Sequence, residues 1–382
     1  MNAKLPLTRI VRRSRVLILL LLFGFLLFEG NHSFAAGEET RSGQQLYQRN
    51  CASCHGPDGT GAPSNTVGFQ VALPDFTDCN FATRETVQDW IIVTDKGGPA
   101  RGFSNMMPAF GEALSRAEMD RTVDYIRDFC PSSEWPLGEL NLPRPLVTTK
   151  AYPEDELVLA TEVNTEGLNR ISNQLIYEQR FGTRNQFELI LPFGWSEQET
   201  ADGTTWTSGV GDIAIGLKRV MFHSLDAGSI VTLGGELLLP TGDDEEGFGS
   251  DTTVFEPYIS YGQLLPAQCF LQFQAGGALP FDTDRRNEKV FWRGAAGRMI
   301  YTGRYGRRWS PMVEVTGAKE LASGTDTNWE VVPQLQVTLS TRQHVRLGVG
   351  AKIPLNNTAT RETTYLAYVL WDWFDGGFID GW

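Results

Sequence analysis

The sequence predicts an α + β chain of two domains: a small all-α domain followed by an antiparallel transmembrane β-barrel of about twelve strands. Three observations carry this. Near residue 155 the apolar period changes from that of a helix to that of a strand. The strands that follow run about 10 to 14 residues, against the usual 5 or 6, and a tilted strand needs roughly 9 to 11 to cross a bilayer. Their connections alternate between short and long, as in barrels with tight turns at one rim and loops at the other.

Residues 1–36 read as a secretory signal peptide. Lys4, Arg9, Arg12, Arg13 and Arg15 precede the apolar run Val16 to Phe28, and Ser33-Phe34-Ala35-Ala36 offers small-residue cleavage sites. The alternative is a retained anchor, but the run is shorter than the roughly 20 residues a spanning helix needs. Elsewhere no long apolar run exists, which argues against a helical multispan protein and leaves a barrel open. The formal charge is −13, and −17 once residues 1–36 are removed, so no nucleic-acid partner is expected.

Residues 37–131 read as the all-α domain. Gln44 to Asn50, Thr83 to Thr94 and Arg116 to Phe129 carry helical spacing, and Ser115-Arg116-Ala117-Glu118 is a capping box that opens the third. Residues 132–154 follow, with Pro136, Pro143 and Pro145 just after Pro131; this proline spacing predicts an extended, semi-rigid connector.

Residues 155–382 form the barrel. Phe187, Leu189, Leu191, Phe193 and Trp195 alternate with Gln186, Glu188, Ile190 and Pro192, and Val345, Leu347, Val349 and Ala351 alternate with His344, Arg346, Gly348 and Gly350. Strands are expected to start near Leu157, Asn169, Arg184, Gly209, Gly228, Thr253, Ala267, Lys289, Arg308, Thr327, Gln343 and Glu362. Gly182-Thr183-Arg184 and Leu265-Pro266 are short connections, whereas Ser196 to Ser208, Gly242 to Thr252 and Asn356 to Arg361 are longer. That alternation puts both barrel ends in the periplasm, with the domain before them on that side of the outer membrane or inside the barrel mouth.

One motif carries specific chemistry. Cys51-Ala52-Ser53-Cys54-His55 is a c-type haem attachment pattern: two thiols add to the haem vinyl groups and the adjacent His55 becomes an axial iron ligand. The alternative is a redox-active or zinc-binding Cys pair. The expected cofactor is one covalent haem c. A sixth ligand is sought downstream, and Met106-Met107-Pro108-Ala109-Phe110 offers thioethers, with Met107 the expected ligand and Met106 the alternative. His223 and His344 both lie in the barrel region.

With these residues in view, 38–130 resembles a small His/Met monohaem cytochrome c domain. Gly43 and Tyr47, the Cys51-to-His55 motif, the Met107-Pro108 segment and the helix around Tyr125 carry the likeness. The resemblance implies that Gly43 lets the first and last helices cross closely, and that the Pro74 carbonyl accepts the His55 ring N–H. It does not call for Cys79 or Cys130. The region 155–382 more loosely resembles the outer-membrane barrel family linked to aromatic-degradation pathways and described as transporters, through Phe187 to Trp195, Gly209 to Ile213 and Leu239 to Asp243. Such barrels end on an aromatic of the last strand; here Tyr365 to Trp373 reads as that strand, and Phe374 to Trp382 follow. The combination is similar to fused cytochrome–porins that oxidise extracellular ferrous iron. Those have a shorter haem segment and a larger barrel, so their substrate does not carry over.

Cys79 and Cys130 both fall in the haem domain and are candidates for a disulfide in an oxidising compartment, free buried thiols being the alternative. Cys269 shares a strand face with Leu271, Phe273 and Leu279 and is expected to face lipid. Asp243, Asp244, Glu245, Glu246 and Asp251 cluster in an expected external loop and read as a solvated loop or a cation attractor. The expected function is electron transfer between a donor at or outside the outer membrane, such as ferrous iron, and periplasmic electron carriers. Outer-membrane lipid surrounds the barrel. With Met107 closing the iron, an electron carrier is expected rather than a substrate-converting enzyme. The alternative is a transport barrel whose haem domain acts as gate, anchor or sensor. A plugged lumen favours the first and an open pore the second.

Overall fold

A computed structural model describes residues 41–68, 73–131, 134–201, 203–340 and 345–372. The expected signal peptide, His344 and the segment Phe374 to Trp382 lie outside the described residues. From Ser42 onward the chain forms one compact unit.

The first part is helical: α1 (Gly43–Asn50), α2 (Ala52–His55), α3 (Ser64–Val67), α4 (Cys79–Ala82), α5 (Val87–Lys96) and α6 (Arg116–Arg127). α6 opens on the expected capping box, Ser115 accepting the Glu118 N–H while Glu118 reaches back. The helix expected over Thr83 to Thr94 starts later, at Val87, and runs on to Lys96. Thr86 adopts an extended conformation and caps α5 by accepting the Asp89 N–H, so the chain breaks before Val87.

The second part is a closed antiparallel barrel. Its strands are β1 (Glu156–Asn164), β2 (Arg170–Phe181), β3 (Asn185–Thr200), β4 (Gly203–Val210), β5 (Ala214–Ser224), β6 (Ser229–Leu238), β7 (Val254–Leu264), β8 (Cys269–Pro280), β9 (Lys289–Arg298), β10 (Ile300–Thr302), β11 (Arg307–Glu320), β12 (Asn328–Thr338), β13 (Val345–Pro354) and β14 (Thr364–Asp372). β4 and β5 pair with successive stretches of β3, and β9 and β10 with successive stretches of β11, so the segments occupy twelve positions. β1 pairs with β14, Glu156 opposite Asp372, and β9 with β11, which leaves no edge.

Along each strand the pleat sends alternate side chains to opposite faces. Leu191, Leu217, Leu233, Leu271, Phe273 and Val369 are exposed on the outside. Gln186, Glu188, Lys218, Gln272, Glu314 and Gln336 are buried on the inside. Large apolar groups outward and polar groups inward is the pattern of a barrel in lipid, and a closed barrel of this kind belongs to an outer membrane. Cys269 lies on the face of Leu271 and Phe273, as expected. Residues 182–184, 225–228, 265–268 and 303–306 are tight turns at one rim, and 239–253 is a long loop at the other.

The proline-spaced stretch is extended, as its composition predicts, but it does not bridge two bodies through solvent. It runs inside the barrel. Leu140, Ala151 and Tyr152 pack on Val220 and Ile230 of the wall, and Leu142 packs on Phe270, Met299 and Met312. An extended segment with no strand partner has a full set of backbone groups to satisfy. The wall supplies them: Gln334 accepts from Leu146 N–H at 3.0 Å, Gln274 from Thr149 N–H at 3.1 Å, and Tyr368 donates to the Arg144 carbonyl at 2.7 Å. Gln272 donates to the Pro143 carbonyl at 2.8 Å and Thr232 to the Ala151 carbonyl at 2.6 Å. Arg144 is held between Glu156 and Glu178 of the wall, at 2.5 and 3.1 Å.

The helical domain is fastened to the short-turn rim and to this lumen segment. Glu139 accepts the Val87 N–H at 2.7 Å and pairs with Arg127 at 3.3 Å. Gly138 N–H donates to the Thr83 carbonyl at 2.7 Å, and Arg84 is paired with the buried Asp155. Arg101 donates to the carbonyl of Tyr305, in the turn between β10 and β11, at 2.6 Å.

Candidate functional site

α1 delivers Cys51 at its C-terminus. Ser42 and Gln45 form a capping box at its start, and the Cys51 N–H closes its last turn on the Tyr47 carbonyl. Gly43 is required by packing, because a Cβ there would collide with the Arg121 carbonyl of α6. This is the close helix crossing that the sequence implied. Tyr47 is fully buried, and its hydroxyl donates to the Gly56 carbonyl at 2.6 Å. That bond fixes the loop leaving the motif, which turns through positive φ at Gly56, Gly59 and Gly61.

Cys51 and Cys54 are both free thiols, and Cys51 is buried. Burial, with the neighbouring Cys54, pushes the Cys51 thiol up to about 11, so it is protonated and uncharged at neutral pH. The His55 ring stacks on Phe76, centroids 4.9 Å apart. Burial lowers the His55 pKa, which favours the neutral imidazole that an iron ligand must be. Among the described residues no group of three or more His, Cys, Asp or Glu is placed to hold a metal ion.

The motif opens onto a cavity of about 670 Å³. Cys51, Cys54 and His55 line one part of it, and Met106 and Met107 another; Phe76, Trp90, Val93 and Ile126 contribute apolar wall. The volume is that of a small-molecule or cofactor site. Met107 is half-buried and Met106 is 49% exposed, which favours Met107 as the residue turned to the interior. Sequence reasoning missed what holds this loop. Met107 N–H donates to the Ser104 carbonyl at 3.2 Å, and its own carbonyl accepts the Gly98 N–H at 3.1 Å. A Cβ at Gly98 would collide with the Ser104 carbonyl, and one at Gly97, where φ is +82°, would lie 2.9 Å from the Met107 carbonyl oxygen. The pair Gly97-Gly98 was the available signal.

The residues present fit a haem. Two free thiols, a neutral imidazole and a thioether face one apolar cavity. His55 Nδ1 is buried with no hydrogen-bond partner, so the ring is not committed elsewhere. Pro74, whose carbonyl is expected as that partner, lines the cavity, but the bond is not made. Cys79 and Cys130 form a disulfide, Cα atoms 5.4 Å apart, joining the start of α4 to the residues just after α6. Asp89 and Arg101, which the sequence did not single out, form a buried ion pair at 2.8 Å in the cavity wall.

Residues 38–126 match the family model described as "Cytochrome C oxidase, cbb3-type, subunit III". Residues 145–375 match that described as "Putative MetA-pathway of phenol degradation", a span that starts within the lumen segment. The chain is similar to a cbb3-type cytochrome c oxidase subunit FixP of Azorhizobium caulinodans, 26% identical over 174 residues, which are 45% of this chain and 50% of that protein. It is also similar to cytochrome c6 of a Picosynechococcus species, 28% identical over 110 residues, 28% of this chain and 85% of that one. The chain thus spans half the length of the first relative and most of the second. Among solved structures, an outer membrane channel from Pseudomonas putida F1 aligns with TM-score 0.41 and 15% identity, over 61% of this chain and 99% of that one. The KdgM porin aligns at 0.37 and 11%, over 57% and 99%.

Proposed function

The chain belongs to the MetA-pathway phenol-degradation family through its barrel, and we propose that it is a monohaem c-type cytochrome tethered to the outer membrane for electron transfer. The observation that supports this best is the placement of the cavity. Its domain is fastened to the short-turn rim of a barrel through whose lumen its own chain runs, which supports an anchor over an open pore.

In this reading Cys51 and Cys54 would hold the haem through their thiols, and His55 and Met107 would bind its iron. Bound there, haem c supplies a one-electron couple, with the thioether favouring the reduced form. The protein does the rest. Tyr47 and Gly43 hold the motif, the Gly97-Gly98 turn holds Met107, and the apolar wall of Phe76, Trp90 and Ile126 excludes water. Soluble periplasmic carriers are the direct partners. A donor outside the membrane, such as ferrous iron, stands roughly the 25 Å of a barrel's apolar band from this rim, and a second cytochrome would bridge the gap.

Spectroelectrochemistry of the full-length protein in liposomes tests the proposal. Reduction of the haem by a small periplasmic-type cytochrome c is expected, and reduction by ferrous iron only with a bridging cytochrome present. A haem that exchanges electrons with neither would end the electron-transfer reading. The barrel's family supports a second reading, a transport channel with the haem domain as gate, anchor or sensor. Solute flux through the wild-type barrel would favour it.

A further inference from the structure

One corner of the short-turn rim is rich in arginine on its lipid side. Arg298 ends β9, Arg307 opens β11, and Arg304 stands in the turn between β10 and β11; all three are exposed. The register fixes the outward direction of the first two. Arg298 lies opposite Cys269, on the face of Leu271, and Arg307 is two residues from Trp309, which sits between Ile300 and Val337. The alternate residues Met299 and Arg308 are buried. None of the three exposed arginines is paired with a carboxylate among the described residues. Arg298 Nε donates to the Ala267 carbonyl at 3.0 Å and Arg307 to the Leu339 carbonyl at 3.4 Å, and both acceptors belong to the rim. Their stems therefore lie along the wall while the charged heads turn to the rim. The Arg304 guanidinium lies over the Tyr305 ring, 5.4 Å from its centroid. The turn that presents it is held from the other side. Its Tyr305 carbonyl accepts from Arg101 at 2.6 Å, and a Cβ on Gly306 would run into Ile92 of α5.

We propose that this corner binds the headgroup of an anionic phospholipid. Where β9 and β11 leave the apolar band, the wall meets the phosphate layer of the leaflet on the short-turn side. Trp309, half-buried between Ile300 and Val337, marks that level, as indole rings do at membrane interfaces. Guanidinium suits the task, because its planar fork pairs with two phosphate oxygens at once and is weakly hydrated. A zwitterionic headgroup carries its own ammonium, which competes for the phosphate; an anionic one leaves the phosphate to the arginines. The outward residues beside them, Ile300, Trp309 and Pro311, offer the acyl chains an apolar wall. The turn is already fixed by its contacts to Arg101 and Ile92, so little ordering is left to oppose binding.

Native mass spectrometry of the full-length protein, delipidated in neutral detergent and titrated with phosphatidylglycerol or phosphatidylcholine, tests the site. The wild type is expected to retain phosphatidylglycerol in preference to phosphatidylcholine. Each arginine near the lipid surface is worth about fivefold in affinity, so Arg298→Gln with Arg307→Gln should weaken phosphatidylglycerol binding about thirtyfold. Arg285→Gln removes an exposed cation at the loop rim, where Arg285 meets Asp251 and Asp282, and should leave binding unchanged. If the double variant does not insert, Arg304→Gln, in an exposed turn, carries the test with a loss of about fivefold. Inorganic phosphate at the same concentration should not displace the lipid. Equal retention of the two lipids, undiminished binding in the variant that inserts, or an equal loss in Arg285→Gln overturns the proposal. Displacement by inorganic phosphate would make the corner a phosphate site and overturn its assignment to lipid.

Discussion

Glu314, on the inner face of β11, accepts both the backbone N–H of Thr148, at 2.8 Å, and the Thr148 hydroxyl, at 2.6 Å. Its other oxygen accepts the Val147 N–H at 3.0 Å and a hydrogen from Gln334. One fully buried carboxylate thus binds the lumen segment to the wall 166 residues away. A pore intended to conduct would leave such a group to water. Here it is spent on backbone donors that have no other partner.

Glu314→Ala should loosen the seal. It orphans buried donors, each costing about 1–3 kcal/mol. In planar bilayers the wild type is expected to stay closed and the variant to conduct. A wild type as conductive as the variant would show that the lumen segment does not seal the barrel.

Covalent haem should depend on the motif thiols. The double change Cys51→Ala with Cys54→Ala should abolish haem staining on denaturing gels while the barrel still inserts and migrates as a folded species. Stoichiometric covalent haem in that variant would sink the assignment.

The two methionines separate by their burial. Met107→Ala should remove the near-infrared sulfur–iron charge-transfer band, lower the potential and admit exogenous ligands, while Met106→Ala leaves the band intact. The reverse pattern would transfer the axial role to Met106.

Reduction of the Cys79–Cys130 disulfide should destabilise the helical domain alone. Closing a loop with a sequence separation of 51 contributes about 4 kcal/mol in the chain-entropy picture. Cys79→Ser with Cys130→Ser should lower the unfolding midpoint followed by haem absorbance and leave the heat-modifiable barrel band where it was. Equal loss in both signals would mean that the two parts unfold as one.

Sidedness follows from the rim that carries the helical domain. Protease added to intact cells should cut a tag placed in the Gly242 to Thr252 loop and spare the haem-stained fragment. Loss of that fragment from outside would overturn the orientation.

The sequence by itself determined the barrel and the motif. A strand between lipid and lumen must alternate strictly, so Leu271 and Phe273 against Gln272 and Gln274 announce their faces within a few residues. Cys51, Cys54 and His55 are local for the same kind of reason: both thiols and the ligand must reach one porphyrin. The close crossing at Gly43 was also legible, through the family likeness. What the tertiary structure decided was everything that joins distant segments. Pro143 and Pro145 specify an extended chain and say nothing of where it lies; nothing in the sequence marks Gln274, Glu314 and Gln334 as the partners of Thr149, Thr148 and Leu146. The Cys79–Cys130 bond, the Asp89–Arg101 pair and the reach of Arg101 to Tyr305 are of the same kind. Satisfying a buried backbone or charge requires only that some partner arrive in space, and no local period records which one it will be.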